Sequence, residues 1–186
     1  MPDSASAPEE IMWPEEIMWE GRFVVAKKRG KWEYVSRARN IRAAVILAVD
    51  ADDNVILVEQ FRVPLGKNCV ELPAGLIGDH DDDEDEDASV AAARELEEET
   101  GYRAGRMEPL GEFYSSPGMV SESFSLFAAH DLEKIGPGGG VAGENITVHR
   151  VPLVGLPDFV TARRLAGDAI DVKLLTVLGP VFLKQR

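Results

Sequence analysis

Apolar and polar positions divide the chain into short alternating runs and a few longer apolar ones. Arg22 to Lys27 and Lys31 to Arg37 alternate around Lys28-Arg29-Gly30, which predicts a β-hairpin. Ala43 to Val49 is nearly continuous and apolar, the pattern of a buried strand. Asp50-Ala51-Asp52-Asp53-Asn54 reads as a turn and Val55 to Arg62 as the next strand, so these two are expected to pair as a second hairpin. Val70 to Gly75 is a short strand running into a loop. Met107 to Ser115, Ser123 to Ala129 and Ile146 to Leu153 are further strands. Ser116-Pro117-Gly118 is a turn, and Gly136-Pro137-Gly138-Gly139-Gly140 a flexible loop. Ala88 to Thr100 is rich in Ala, Leu, Glu and Arg and predicts a helix closed by Gly101. Pro157 to Ala166 predicts a helix with proline near its start, and Asp171 to Leu183 an amphipathic helix that Pro180 kinks or ends. Strands dominate the middle, one helix is inserted, and two helices close the chain. The fold class is therefore α/β (α+β), a layered sandwich with a mixed sheet and not a simple doubly wound one.

At 186 residues the chain predicts one principal domain, residues 41–186, behind a hairpin region, residues 20–40. Residues 1–19 are expected to be poorly ordered, the first 16 or so being rich in Pro, Glu, Ser and Ala. Within them Pro8-Glu9-Glu10-Ile11-Met12-Trp13 recurs unchanged as Pro14 to Trp19. Two copies are too few and too short for a solenoid, so the repeat reads as a tandem duplication. The 33 acidic residues against 20 basic ones argue against non-specific nucleic-acid binding. An anionic ligand would need local help from a metal or placed arginines. The single cysteine, Cys69, excludes an intramolecular disulfide and points to a reducing, cytoplasmic setting and a core position. No leader pattern is visible, and the longest apolar run is too short to span a membrane. His80, His130 and His149 have no ligand-like spacing. Asp79 to Asp87 is almost wholly acidic and reads as a solvated loop, or else as a funnel that attracts cations; it lacks the spaced ligands of an EF-hand.

Glu95, Glu98 and Glu99 stand at i, i+3 and i+4, so one helix face carries three carboxylates. Like charges at that spacing repel, and a hard divalent cation bridging them would turn repulsion into binding. By spacing alone a solvated acidic face serves equally well.

The longer stretch decides between these readings. Arg94-Glu95-Leu96-Glu97-Glu98-Glu99-Thr100-Gly101-Tyr102 resembles the second half of the Nudix box at every fixed position. Glu86 stands eight residues before Arg94, where the box has its first glutamate, although Glu84 or Asp87 could fill that place. The opening glycine of the box would fall at His80; Gly75 in Leu72-Pro73-Ala74-Gly75 is the natural candidate, which implies a five-residue insertion. Val58-Glu59-Gln60-Phe61-Arg62, Glu71 to Gly75, and Pro117 sixteen residues after Gly101 look like the ADP-ribose pyrophosphatase branch of that family.

The resemblance implies a Nudix α/β/α sandwich and hydrolysis of ADP-ribose, a nucleoside diphosphate sugar, to AMP and ribose 5-phosphate. Mg²⁺, with Mn²⁺ as a possible substitute, would be held by Glu95, Glu98, Glu99 and the carbonyl of Ala74. Arg94 and Glu86 would be structural within the site. Arg62 would contact phosphate, Trp32 would stack on adenine, Pro117 would belong to the substrate-binding residues, and Glu122 would reach the terminal ribose or the metals. Either Glu144, after the glycine-rich loop, or Glu98 would be the catalytic base. The hairpin region would build a homodimer. GDP-mannose or UDP-glucose as substrate, and a Nudix-fold binding module without turnover, remain alternatives.

Overall fold

The structure is a computed structural model, and it describes residues 9–38, 41–77, 87–141 and 143–178. Glu9–Met12 form a turn of 3-10 helix. Three antiparallel strands follow, β1 (Glu15–Glu20), β2 (Val24–Arg29) and β3 (Trp32–Arg37), and form a small sheet of their own. The β2–β3 hairpin turns at Gly30, whose φ of +56° favours glycine. β1 lies where the sequence led us to expect a poorly ordered segment. It is exposed at every position, and ion pairs hold it instead of burial: Glu15 meets Lys27 at 2.9 Å and Arg29 at 3.1 Å and accepts a hydrogen bond from Tyr34.

The core consists of two four-stranded mixed sheets. β4 (Arg42–Ala48) runs parallel to β10 (Ser123–His130); β7 (Ala74–Ile77) and β9 (Arg106–Tyr114) complete that sheet in the order β7-β4-β10-β9. The second sheet has the order β12-β5-β6-β13, from β5 (Asn54–Arg62), β6 (Lys67–Glu71), β12 (Thr147–Pro152) and β13 (Ala169–Ile170). Two short strands, β8 (Tyr102–Arg103) and β11 (Glu133–Lys134), pair separately.

β4 and β5 do not form the expected hairpin. A strand has two edges, and those of β4 are taken by β7 and β10, those of β5 by β12 and β6. Only Val49 and Val55 bridge them, across a turn in which Asp50 Oδ1 accepts from the backbone N–H of Asp52 and Asn54. The expected single strand over 70–75 also divides. β6 ends at Glu71, and Pro73 lends its carbonyl to Ile46 N at 2.8 Å before β7 begins.

Helix α1 (Ala88–Thr100) has the expected bounds. Asp87 caps it by accepting from Ser89 N, and Gly101 at φ +68° ends it with N–H to the Glu97 carbonyl. Ala91, Ala92 and Leu96 pack on Ala44, Ile46, Ala48 and Phe127. Val45, Leu47, Val55, Leu57, Leu126 and Val151 make a second core between the sheets, with Leu156 of α2 (Leu156–Ala166) and Leu174. β4 thus buries alternate residues in both cores, which is why its apolar run is nearly unbroken. Fully burying one such side chain contributes roughly 1.5–3 kcal/mol. The final helix differs from expectation: its described part, Val172–Leu178, is 3-10. No helix among the described residues is long and apolar enough to cross a membrane.

Candidate active site

α1 presents its carboxylates to the loop that joins β6 to β7. Glu99 is only 6% exposed, and its Oε2 accepts from Ala74 N at 3.0 Å. Burial, with Glu95 and Glu144 nearby, pushes its carboxyl up to about 8. Glu95 is raised in the same direction, chiefly by burial. Gly75 is required for this approach, since a Cβ there would stand 2.0 Å from Glu95 Cδ. Arg94 Nη1 lies 2.9 Å from Glu95 and 3.4 Å from Glu98, so it ties the two acids together.

The glycine-rich segment docks on the C-terminal end of α1. Gly139 N donates to the Glu99 carbonyl at 2.8 Å and Gly140 N to that of Glu98 at 3.0 Å, which satisfies two of the carbonyls that a helix end leaves open. A Cβ on Gly138 would meet the Thr100 carbonyl carbon at 2.4 Å, so the contact demands glycine. This docking places Glu144 beside the helix. Its Oε2 accepts from Val141 N at 2.8 Å, and its carbonyl accepts from Gln60 Nε2.

Ala74, Glu95, Glu99, Arg62, Arg94, Glu122 and Glu144 all line one cavity of about 390 Å³. Glu98 does not line it; its carboxylate is half-exposed beside Arg94. Trp32 and Pro117 line a different cavity of about 470 Å³, with Ile11, Tyr34 and Val120. The two cavities are neighbours in the chain: Ser115 and Glu122 border the first, and Pro117, Gly118, Val120 and Ser121 border the second. β3 holds that segment through Val35 N to the Met119 carbonyl and Ser121 N to the Val35 carbonyl. Glu86 lies outside the described residues, as does Glu84, and Asp87 is the helix cap.

Sequence reasoning missed Glu71, Arg37 and Lys173, which also line the first cavity. Glu71 is 6% exposed and takes Arg62 in a two-pronged pair, Nε to Oε1 at 2.6 Å and Nη2 to Oε2 at 2.9 Å. A glutamate closing an apolar strand was the signal that could have found it. Arg37 pairs with Glu122 at 2.5 Å, and Lys173 with Asp171 at 2.6 Å. No sequence pattern marks either as part of a site. Cys69 is buried and its thiol is pushed up to about 12 by burial, which suits a core residue.

These pairings leave an imbalance. Glu71 and Glu122 face arginines, and Glu95 faces Arg94, whereas among the described residues Glu99 and Glu144 accept hydrogen bonds from backbone N–H groups. Oxygen donors of this kind fit a hard divalent cation. Among the described residues no three acidic or histidine side chains are already drawn together as a metal cage. Each carboxylate is turned toward a protein donor.

Residues 39–164 match the NUDIX domain. The chain belongs to the Nudix family. Over 90 residues it is 41% identical to an ADP-ribose pyrophosphatase of Bacillus subtilis, covering 48% of this chain and 46% of that protein. It is 42% identical over 96 residues to a methanol dehydrogenase activator of Bacillus methanolicus, covering 52% of this chain and 49% of that one. The chain thus spans about half the length of these two relatives. A GDP-mannose pyrophosphatase of Salmonella typhimurium is 39% identical over 145 residues, 74% of this chain and 71% of its own. Among solved structures, an ADP compounds hydrolase superposes with a TM-score of 0.64 at 25% identity, covering 92% of this chain and 93% of its own. The fold of this Nudix chain is therefore the expected mixed α+β sandwich.

Proposed function

We propose that this Nudix protein hydrolyses the diphosphate linkage of ADP-ribose to AMP and ribose 5-phosphate. One observation carries the reading: Ala74, Glu95, Glu99, Arg62 and Glu144 border the same cavity although they come from four separate parts of the chain. In the proposed reaction Glu95, Glu99 and the Ala74 carbonyl hold Mg²⁺ or Mn²⁺, with Glu98 completing the set from the helix edge. A divalent cation there neutralises the diphosphate and lowers the pKa of water. Arg62 keeps Nη1 outside its pair with Glu71, and that edge donates to a phosphate. Glu144 takes the proton from the attacking water. Its place in the cavity favours it over Glu98, which does not line it. Arg94 holds Glu95 and Glu98 in position.

The similarity to a GDP-mannose pyrophosphatase runs over more of the chain than that to the ADP-ribose pyrophosphatase, and it supports GDP-mannose as the second reading. Trp32 and Pro117, in the adjacent cavity, would then face a guanine instead of an adenine. Exposed Phe23 and Val24, at the start of β2, support a homodimer built through the hairpin region. A substrate panel of ADP-ribose, GDP-mannose, UDP-glucose and diadenosine polyphosphates, with Mg²⁺ and with EDTA, tests the proposal. Mg²⁺-dependent release of AMP, fastest from ADP-ribose, is the expected result. Preference for GDP-mannose would transfer the mechanism to the second substrate, and no turnover by folded protein would overturn both.

A further inference from the structure

Glu9–Trp13 and Glu15–Trp19 are identical in sequence and different in structure. The second copy is the edge strand β1, paired with β2 from Glu15 opposite Arg29 to Glu20 opposite Val25, with a bulge between Ile17 and Trp19. The first copy is a 3-10 turn followed by Trp13, whose ring lies against Gly30 at the tip of the β2–β3 hairpin. Its Ile11 forms part of the wall of the Trp32 cavity, and the Ile11 carbonyl accepts from Arg29 Nη1 at 3.4 Å.

We propose that the duplicated hexapeptide gives β1 two interchangeable registers, six residues apart, and that the second register removes Ile11 from the Trp32 cavity. Six is an even number, so a slip of one whole copy leaves every side chain on its original face of the sheet. The positions of β2 from Ala26 to Arg29 would meet the same residue types as before, and the bulge at Met18 would recur at Met12. The receiving side does not change either: Lys27, Arg29 and Tyr34, which now surround Glu15, would surround the glutamate of the first copy. Little holds β1 against such a slip, because it is an edge strand exposed at every position and commits no core residue. The link from β1 to β2 would grow from residues 21–23 to residues 15–23, and closure entropy rises only slowly with loop length.

Three contacts belong to the observed register alone: Trp13 on Gly30, Ile11 in the cavity wall, and Arg29 to the Ile11 carbonyl. Pro14 would also replace Glu20 at the end of the strand, where it has no N–H to donate. These make the observed register the ground state. A molecule that enters the Trp32 cavity and displaces Ile11 removes one of the three and shifts the population toward the second register. The repeat thereby couples an edge strand to access at that cavity, whichever nucleotide the enzyme uses.

Hydrogen exchange of the full chain, read amide by amide by NMR, tests this. Glu15→Lys sets a cation against Lys27 and Arg29 and disfavours the observed register. The expected result is a swap: amides of Glu9–Trp13 that face β2 become protected by roughly tenfold or more, while those of Glu15–Glu20 lose protection. Glu9→Lys alone keeps the observed pattern, and the double variant protects neither copy. Glu15→Lys with the second copy still protected, or with both copies unprotected, would overturn the proposal.

Discussion

In the N-terminal sheet, the hydrogen bond from Tyr34 and the neighbouring Lys27 and Arg29 hold the Glu15 carboxyl well below its usual range, at about 2. In the candidate active site, burial pushes the same kind of group, Glu99, up to about 8. The sheet is exposed and rich in cations around Glu15, so its glutamate is a stabilising partner. In the cavity the arginines are already paired with other carboxylates, and the buried glutamate is a demand for positive charge. The fold tolerates that demand because Leu96, Ala91 and Ala92 anchor α1 in the core, so the helix keeps its carboxylates in place despite their cost. A residue's identity therefore says little about its role until its surroundings are known.

The sharpest way to break the comparison is Glu99→Gln, which keeps the shape and removes the charge. Hydrolysis should fall by roughly 10²–10³-fold, the scale of losing one preorganised electrostatic contact. Stability should move the other way at high pH. The folded carboxyl sits at about 8 against an ordinary 4.5, so its contribution is fully present below 4.5 and is lost as pH rises through about 8. The metal-free variant lacks this slope, and thermal melts from pH 5 to 9 will reveal whether the wild-type chain has it.

A smaller effect is expected from Gly75→Ala. The added methyl would stand 2.0 Å from Glu95 Cδ and must displace that side chain. Turnover should drop by roughly 10–100-fold, as expected when a contact near the chemistry moves by about an ångström. Wild-type turnover in steady-state assays would refute the close approach.

The smallest effect belongs to the other region. Glu15→Gln should cost less than about 1 kcal/mol at neutral pH, because the pairs are exposed. The folded carboxyl is lowered from 4.5 to about 2, so its stabilisation is present above 4.5 and disappears as pH falls through about 2. Wild type and variant should therefore converge in acid, measured by urea unfolding across that range.

Much of the molecule was legible before any coordinates. The bounds of α1, its Gly101 stop and the apolar character of β4 follow from local rules, since helix propensity, a left-handed cap and burial on two faces each leave a mark within a few residues. Glu95 and Glu99 were legible because helical spacing alone places them one turn apart. The pairing of β4 with β10 and β7 was not, because turn residues between two strands suggest a hairpin and say nothing about which edges are already occupied. β1 was missed because it follows a stretch rich in Pro, Glu, Ser and Ala, and its stabilising cations, Lys27 and Arg29, sit on another strand. Trp32 and Pro117 were assigned to one site with the glutamates, yet they border a separate cavity.

By itself the sequence determined most of the elements, the family to which the chain belongs and the acidic face of one helix, all properties of residues close together along the chain. Only the tertiary structure decided which charges face each other. It brought Glu71 to Arg62 and Glu122 to Arg37, used the glycine-rich segment to carry Glu144 to the end of α1, and buried Glu99 against the backbone N–H of Ala74. The physical reason is that a carboxylate's chemistry depends on its solvation and on its neighbours in space, and both are set by packing between segments far apart in sequence.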